Sequence, residues 1–343
     1  MLIVTFYGCS RIIVNKNLYI MKSKEFKLAM KSIPNFNNLE FRLLYEELMS
    51  VKKRTYVSSF LETHKEDLNC AHCKSKNFIR WGRRNDLQRY KCKDCGKTFN
   101  SLSVTPLARL RKKGRWLNYA QCLKDGLSVR KAANKCGIHK NTSFRWRHRF
   151  IANSQFIKPK QLLGVVEIDD LVLNKSFKGY KPKDFIDKLR IKKLSKQKVY
   201  IVLGKDRNKN LTDSIIFRFN GKSISDSIIS DISKDSLFCS YSKEIYHKVS
   251  KIKSLRHGFL IKEKNEKVKK DIVHLKNVSD YKERFYKWIV KHFRGVATKY
   301  LSNYLGWYRQ LNEFDNGINN FTILERAKKV GTYKYQPLKM TFK

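Results

Sequence analysis

Cys70, Cys73, Cys92 and Cys95 form a C-x2-C-x18-C-x2-C frame. Two close thiolate pairs, joined by a spacer long enough to fold back as a hairpin, supply the tetrahedral sulfur cage that zinc prefers. Each half reads as a knuckle: Asn69-Cys70-Ala71-His72-Cys73, and Lys91-Cys92-Lys93-Asp94-Cys95-Gly96 with Gly96 free to turn after the last ligand. Two disulfides or four unrelated buried thiols are the competing readings, and paired CxxC at this spacing favours the metal. Four sulfurs leave no open coordination position, so such a zinc is structural and does no chemistry on a substrate. Cys9, Cys122, Cys136 and Cys239 show no framework, which fits a reducing, cytoplasmic setting.

A cluster of carboxylates lies further along the chain. Leu163 to Leu173 reads as a buried strand with Glu167, Asp169 and Asp170 near its middle. Further strands are expected at Lys198–Leu203, Ser214–Arg218, Leu237–Cys239 and Gly258–Ile261. Helices are expected around Ile224–Ile232, Lys243–Val249, Val273–Phe293 and Thr298–Leu311. Three consecutive strands followed by helix–strand alternation suggest a mixed α/β sheet.

Between the cysteines and the carboxylates lies a three-helix pattern. Trp116, Tyr119, Ala120, Leu123 and Leu127 are spaced as one face of a first helix, and Val129 to Lys135 makes a second. Cys136-Gly137-Ile138 makes the turn: Gly137 allows a positive φ and Ile138 seals the core, while Ala133 is small where two helices cross. A third helix follows through Thr142, Phe144, Trp146 and Phe150. His139, Lys140, Asn141, Thr142, Arg145 and Arg147 are expected on its exposed side, where a recognition helix meets base edges, with Arg130 and Lys131 on the helix before it. Ahead of the cysteines, Leu39, Leu43, Leu44 and Leu48 recur at helical spacing. Between the cysteine pairs, Phe78 to Arg84 and Leu87 to Lys91 read as two short strands joined by a polar turn.

Composition narrows the partner. At 343 residues and 41% hydrophobic, the chain is globular and long enough for two or three domains. It carries 75 Lys+Arg against 29 Asp+Glu, a net charge of +46. Genomic base bias would explain many lysines but not the shortage of acids. A field of that sign suits a polyanion, nucleic acid foremost. No apolar run is long enough to span a bilayer, and no membrane partner is expected. Met1 to Tyr7 lacks a basic lead and is a poor signal peptide, and Met21, before a more ordinary polar stretch, is an alternative start.

Specific motifs then converge on one family. They are Cys92-Lys93-Asp94-Cys95-Gly96-Lys97-Thr98-Phe99, Leu127-Ser128-Val129-Arg130-Lys131-Ala132-Ala133, Gly137-Ile138-His139-Lys140-Asn141-Thr142, Ser176-Phe177-Lys178-Gly179 and Arg294-Gly295-Val296-Ala297-Thr298-Lys299-Tyr300-Leu301. Over roughly Asn69 to Arg309 the chain resembles prokaryotic insertion-sequence transposases that combine a zinc ribbon, a helix-turn-helix and a DDE-type catalytic domain.

That resemblance implies a multidomain α+β protein. An N-terminal helical lead would occupy residues 1–66, a zinc ribbon 67–102, a helix-turn-helix domain 103–155, an RNase H-like mixed α/β domain 160–311 and a tail 312–343. It implies double-stranded DNA carrying terminal repeats as partner, a homo-oligomer on that DNA, and strand transferase chemistry with Mg2+ or Mn2+. Such chemistry holds two ions on clustered carboxylates, to activate the attacking oxygen and stabilise the leaving one. Glu167-Ile168-Asp169-Asp170 matches the family's first-strand motif, with Asp169 at the metal-binding position. The later positions depart from the pattern. The second aspartate falls on Tyr241 in Cys239-Ser240-Tyr241-Ser242. The third position falls on Ser279 in His274-Leu275-Lys276-Asn277-Val278-Ser279, and the following lysine on Tyr286. Asp280 and Lys287 stand one residue away, where a helix turns a side chain by roughly 100°. Impaired catalysis is therefore expected.

Overall fold

The computed structural model describes residues 31, 37–62, 68–159, 161–228, 231–241, 243–252, 254–260, 273–312 and 318–329. The chain divides into two compact units, 1–127 with 131–146 and 320–343, and 128–130 with 147–319.

In the first unit, helix α1 spans Asn38–Glu62. Asn37 starts it: its Oδ1 accepts from the N–H groups of Leu39 (3.0 Å) and Glu40 (2.9 Å), and Glu40 accepts in return from the Asn37 N–H (3.0 Å). This reciprocal pair satisfies amides that have no helical partner. The helix expected from the leucine spacing is present. Leu39 and Leu48 are exposed, while Val51, Val57 and Leu61 are buried.

Strand β1 (Phe78–Arg84) pairs antiparallel with β2 (Leu87–Cys92), and β3 (Thr98–Phe99) adds to the β2 edge. Asn85 and Asp86 both take positive φ (51° and 65°), the conformation that matches the twist of a two-residue hairpin turn. Phe78, Tyr90 and Phe99 pack ring against ring beneath the cysteines. Helix α2 (Trp116–Lys124) buries Trp116, Tyr119, Ala120 and Leu123, the face expected from spacing. Helices α3 (Val129–Lys135) and α4 (Lys140–Phe150) follow.

The second unit is built on a five-stranded sheet of order β6-β5-β4-β7-β8. Its strands are β4 (Val165–Asn174), β5 (Lys198–Asp206), β6 (Leu211–Ile216), β7 (Leu237–Tyr241) and β8 (Arg256–Leu260). The first three form an antiparallel meander, and β7 and β8 join β4 in parallel. Helices α5 (Phe185–Ser195), α6 (Gly221–Ser227) and α7 (Glu244–Ile252) alternate with the strands. Helix α8 (Lys276–Tyr286) runs on into a π-helical stretch, Lys287–His292, and α9 spans Leu301–Leu311.

Side-chain alternation along β4 separates its acids. Val166 and Ile168 join a core with Ile224, Tyr246 and Val249 of α6 and α7, on the face that also carries Asp170. Glu167 and Asp169 point to the other face, toward α8. On α9, Tyr304, Trp307 and Tyr308 are buried in a network of ring contacts.

Two helices were not expected from the sequence. Helix α5 lies in the basic run from Lys181 to Lys198, starts on Asp184, whose side chain accepts from the Asp187 N–H (2.7 Å), and buries none of its residues. In the first unit, α10 (Asn320–Lys328) packs Ile323, Leu324 and Ala327 into the core, with Phe321 edge-on to Tyr56. Among the described residues, no helix is long and apolar enough to cross a membrane.

Candidate functional site

The hairpin gathers the four cysteines. Their sulfurs all lie within 4.8 Å of one another, with Cys70 and Cys95 at 3.6 Å and Cys73 and Cys92 at 3.5 Å. A zinc tetrahedron with bonds of about 2.3 Å has sulfur–sulfur edges of roughly 3.8 Å, so the donor set fits that ion. Local backbone explains the gathering. Lys74 N–H donates to the Cys70 carbonyl (2.9 Å) and Cys92 N–H to the Lys97 carbonyl (3.0 Å), closing one turn on each side. Gly96 takes φ +67° as its position requires.

The thiols are electrostatically inequivalent. Burial raises the Cys70 thiol, but N–H groups of Cys73 and His72 and the neighbouring thiols outweigh it and hold the group at about 6. At Cys73 a backbone hydrogen bond at Ser75 favours the thiolate, yet burial and the other three sulfurs push it up to about 12.

The three-helix segment has the expected local design. Gly137 adopts φ +57°, Ala133 and Ile138 are buried, and the Ile138 N–H donates to the Ala133 carbonyl (3.0 Å). Arg130, Lys131, His139, Lys140, Asn141 and Arg145 are exposed and Thr142 is half-buried. Arg147 departs from the expectation. It is fully buried, its guanidinium 5.4 Å from the Phe293 ring centre and 5.3 Å from that of Trp307, because the last turns of α4 face apolar core instead of solvent.

On β4, Glu167 is fully buried and fully engaged. It takes Arg207 Nη1 at 2.7 Å, Asn277 Nδ2 at 2.8 Å and the Val278 N–H at 2.9 Å, clamping the start of α8 to the strand. Asp169, 3% exposed, accepts from the Asp170 N–H (2.8 Å) and from the ammonium of Lys282 on α8. Asp170, on the opposite face, accepts from Lys243 Nζ and from Tyr246 Oη (3.0 Å). Burial, and then the Asp170 charge, push the Tyr246 phenol well above its ordinary range.

Residues 161–309 match the ISXO2-like transposase domain family. The resemblance to insertion-sequence transposases is thereby borne out over these residues, which are less than half of the chain. A protein of Halobacterium salinarum, described as an uncharacterized protein in transposable element ISH50, is 31% identical over 115 residues. That alignment covers 32% of this chain and 38% of the relative.

Within residues 161–309, Tyr241 ends β7 half-buried, two residues beyond Cys239, the registered partner of Glu167. Asp169 lies two residues beyond Glu167, so β4 and β7 carry Asp169 and Tyr241 to the same level of the sheet. Ser279 sits on α8 with its Oγ buried and without a hydrogen-bond partner among the described residues. Tyr286 is exposed at the end of α8. Of the neighbouring alternatives, Asp280 is exposed and Lys287 pairs with Glu283 on the surface (2.5 Å). Among the described residues, the four cysteines are the group of three or more His, Cys, Asp or Glu side chains placed to hold a metal.

Sequence reasoning missed Lys282, Lys243 and the Glu167 clamp. A signal for Lys282 exists: it stands four residues after Val278 and three before Phe285, in the buried stripe of α8. A lysine in an apolar stripe needs a buried acid to receive it.

Proposed function

We propose that this chain binds the terminal repeats of an insertion sequence through a zinc ribbon and a helix-turn-helix. In this reading residues 161–309 form an RNase H-like DDE-type domain impaired in metal-dependent phosphodiester cleavage and strand transfer. The family match and the transposable-element relative support the descent. The excess of basic residues and the exposed His139, Lys140, Asn141 and Arg145 at the start of α4 support duplex DNA as partner. The gathered cysteines support structural zinc, which would be held by Cys70, Cys73, Cys92 and Cys95 and would fix the hairpin that bears Arg80, Arg83 and Arg84.

The observation that carries the impaired-catalysis reading is the Lys282 ammonium on Asp169. A pair of Mg2+ or Mn2+ ions needs several oxygen ligands beside that carboxylate. The expected positions offer a phenol at Tyr241 and a lone hydroxyl at Ser279, and a cation already neutralises the acid. This donor set does not fit the two ions.

The same contact favours a second reading within transposition, a regulator that occupies the element ends as a homo-oligomer and blocks a competent enzyme from them. Gel-shift titration of zinc-loaded protein against duplex bearing the terminal repeats, and against a scrambled duplex, tests the shared premise. Preference for the repeats is expected. Equal affinity for both at physiological salt would remove end recognition from the account.

A further inference from the structure

The hairpin turn and the segment after the ribbon enclose a cleft of about 1180 Å3 that the reading above leaves unused. All its lining residues lie in the first unit, between His72 and Lys113. Arg84, Arg109, Arg111 and Lys112 line it and are exposed, and Asp86 is the acid among the lining residues. None of those four cationic side chains has a hydrogen bond or ion pair within the described residues. Collecting several cations around a single acid in a concavity costs repulsion, which a bound polyanion offsets.

The basic segment is also held in place. Arg109 and Lys112 adopt positive φ (60° and 58°), an unfavourable conformation for long side chains that persists only where surroundings impose it. Lys113 Nζ donates to the Asn85 carbonyl of the hairpin turn (2.5 Å), and Trp116 Nε1 donates to the Arg111 carbonyl (3.2 Å). Arg115 Nη1 donates to the Cys136 carbonyl (2.8 Å), fastening the same segment to the turn before α4. The backbone that carries the guanidinium groups is therefore fixed to a scaffold and is not a free tail.

The size and lining choose the ligand. Small-molecule sites occupy about 300–1,000 Å3 and are mainly apolar, whereas this cleft is larger and cationic. Of the aromatic rings in its lining, Phe99 is buried in the hairpin core and the His72 imidazole stands alone, so no run of rings is present on which successive unstacked bases would stack. We propose that the cleft clamps the phosphate backbone of duplex DNA, supplying sequence-independent affinity while α4 supplies base preference. This rests on the DNA-binding reading and assigns its backbone contact to a specific surface.

Fluorescence anisotropy of full-length, zinc-loaded protein on terminal-repeat and scrambled duplexes, across a salt series, tests it. The variant R109A/R111A/K112A should weaken binding to both duplexes alike and leave the preference between them unchanged. Its salt dependence should be shallower by about 0.9 in the log–log slope for each phosphate contact removed. R109K/R111K, which keeps the charges, should keep the slope and reports independently of folding defects in the triple variant. If the triple variant keeps wild-type affinity and slope while K140A/N141A/R145A loses the preference, the cleft assignment is overturned and the DNA-binding reading stands. Tighter binding to single strands than to duplex overturns the duplex assignment. Wild-type protein that binds neither duplex overturns both.

Discussion

The ammonium of Lys282 on α8 lies against the carboxylate of Asp169 on β4, an acid only 3% exposed. A lone buried carboxylate is costly, and this contact supplies the opposite charge that a metal would otherwise bring. It ties the central strand of the sheet to α8 beside the Glu167 clamp, so Asp169 has a structural partner in its own right.

Removing one member of the pair should therefore lower stability without touching DNA affinity. Asp169→Ala and Lys282→Ala are each expected to cost about 1–3 kcal/mol, below the full cost of a broken buried pair because Lys282 is 27% exposed. The double variant should cost less than the sum of the two. Urea titrations of the four proteins provide the cycle; strict additivity would mean that the two charges do not interact. A marked loss of DNA affinity in Asp169→Ala would assign this acid another role.

Cys92→Ser should abolish stoichiometric zinc binding and unfold the hairpin, since Cys92 is buried in one cluster with Tyr90 and Phe99 as well as facing Cys73. Metal analysis of the purified variant reads this directly. Zinc content equal to wild type would remove the cage assignment.

Arg147 and Arg145 are two residues apart on α4 and should behave differently. Arg145→Ala removes an exposed cation and is expected to relax the preference for the terminal repeats. Arg147→Ala removes a buried guanidinium stacked over Phe293 and Trp307, and should cost about 1–3 kcal/mol of stability through lost packing and cation–π attraction. Its folded fraction should retain the same sequence preference. Thermal melts paired with competition binding separate the two effects.

Acidification should destabilise the second unit through a buried imidazole. His148 stacks on Tyr300, and burial, followed by the Arg147 and Lys299 charges, lowers it from its ordinary value near 6.5 to about 3. The unfolded chain takes up this proton at higher pH than the folded one. The stabilisation is thus complete above about pH 6.5 and is lost progressively as pH falls toward 3. His257, lowered to about 4 by burial and by His247, adds a loss of the same sign. His148→Phe, which keeps a ring against Tyr300, should flatten the fall in melting temperature between neutral pH and pH 5. An identical pH profile in the variant would place His148 in solvent.

The sequence was readable where determinants are local. Ligand spacing identified the cysteine cage, and Gly137 with Ile138 marked the turn before α4. Two stretches that stood apart in the sequence, Ser176–Gly179 and Arg294–Leu301, turn out to be one contact. Ser176 N–H donates to Thr298 Oγ1 (2.8 Å), Thr298 N–H donates to the Ser176 carbonyl (2.9 Å), and Lys178 Nζ donates to the carbonyls of Phe293, Arg294 and Gly295 at 2.9–3.0 Å. What escaped notice depends on distant partners. Arg147 reads as a surface cation until Phe293 and Trp307 enclose it. Helix α10 becomes recognisable only when Ile323 and Leu324 are seen in the core, and Lys282 only when Asp169 stands opposite. Helix α5 has no packed stripe at all, so hydrophobic periodicity could not announce it.

We propose that the chain holds the ends of an insertion sequence and that residues 161–309, which match a transposase domain family, cut them poorly or not at all. The direct measurement incubates purified, zinc-loaded protein and its Asp169→Ala variant with terminal-repeat DNA and Mg2+ or Mn2+, following binding and strand nicking together. The account predicts specific binding by both proteins and no metal-dependent nicking at the repeat ends. Nicking by the wild type that disappears in Asp169→Ala would contradict it, and would mean that ligands other than Tyr241 and Ser279 complete a working metal site.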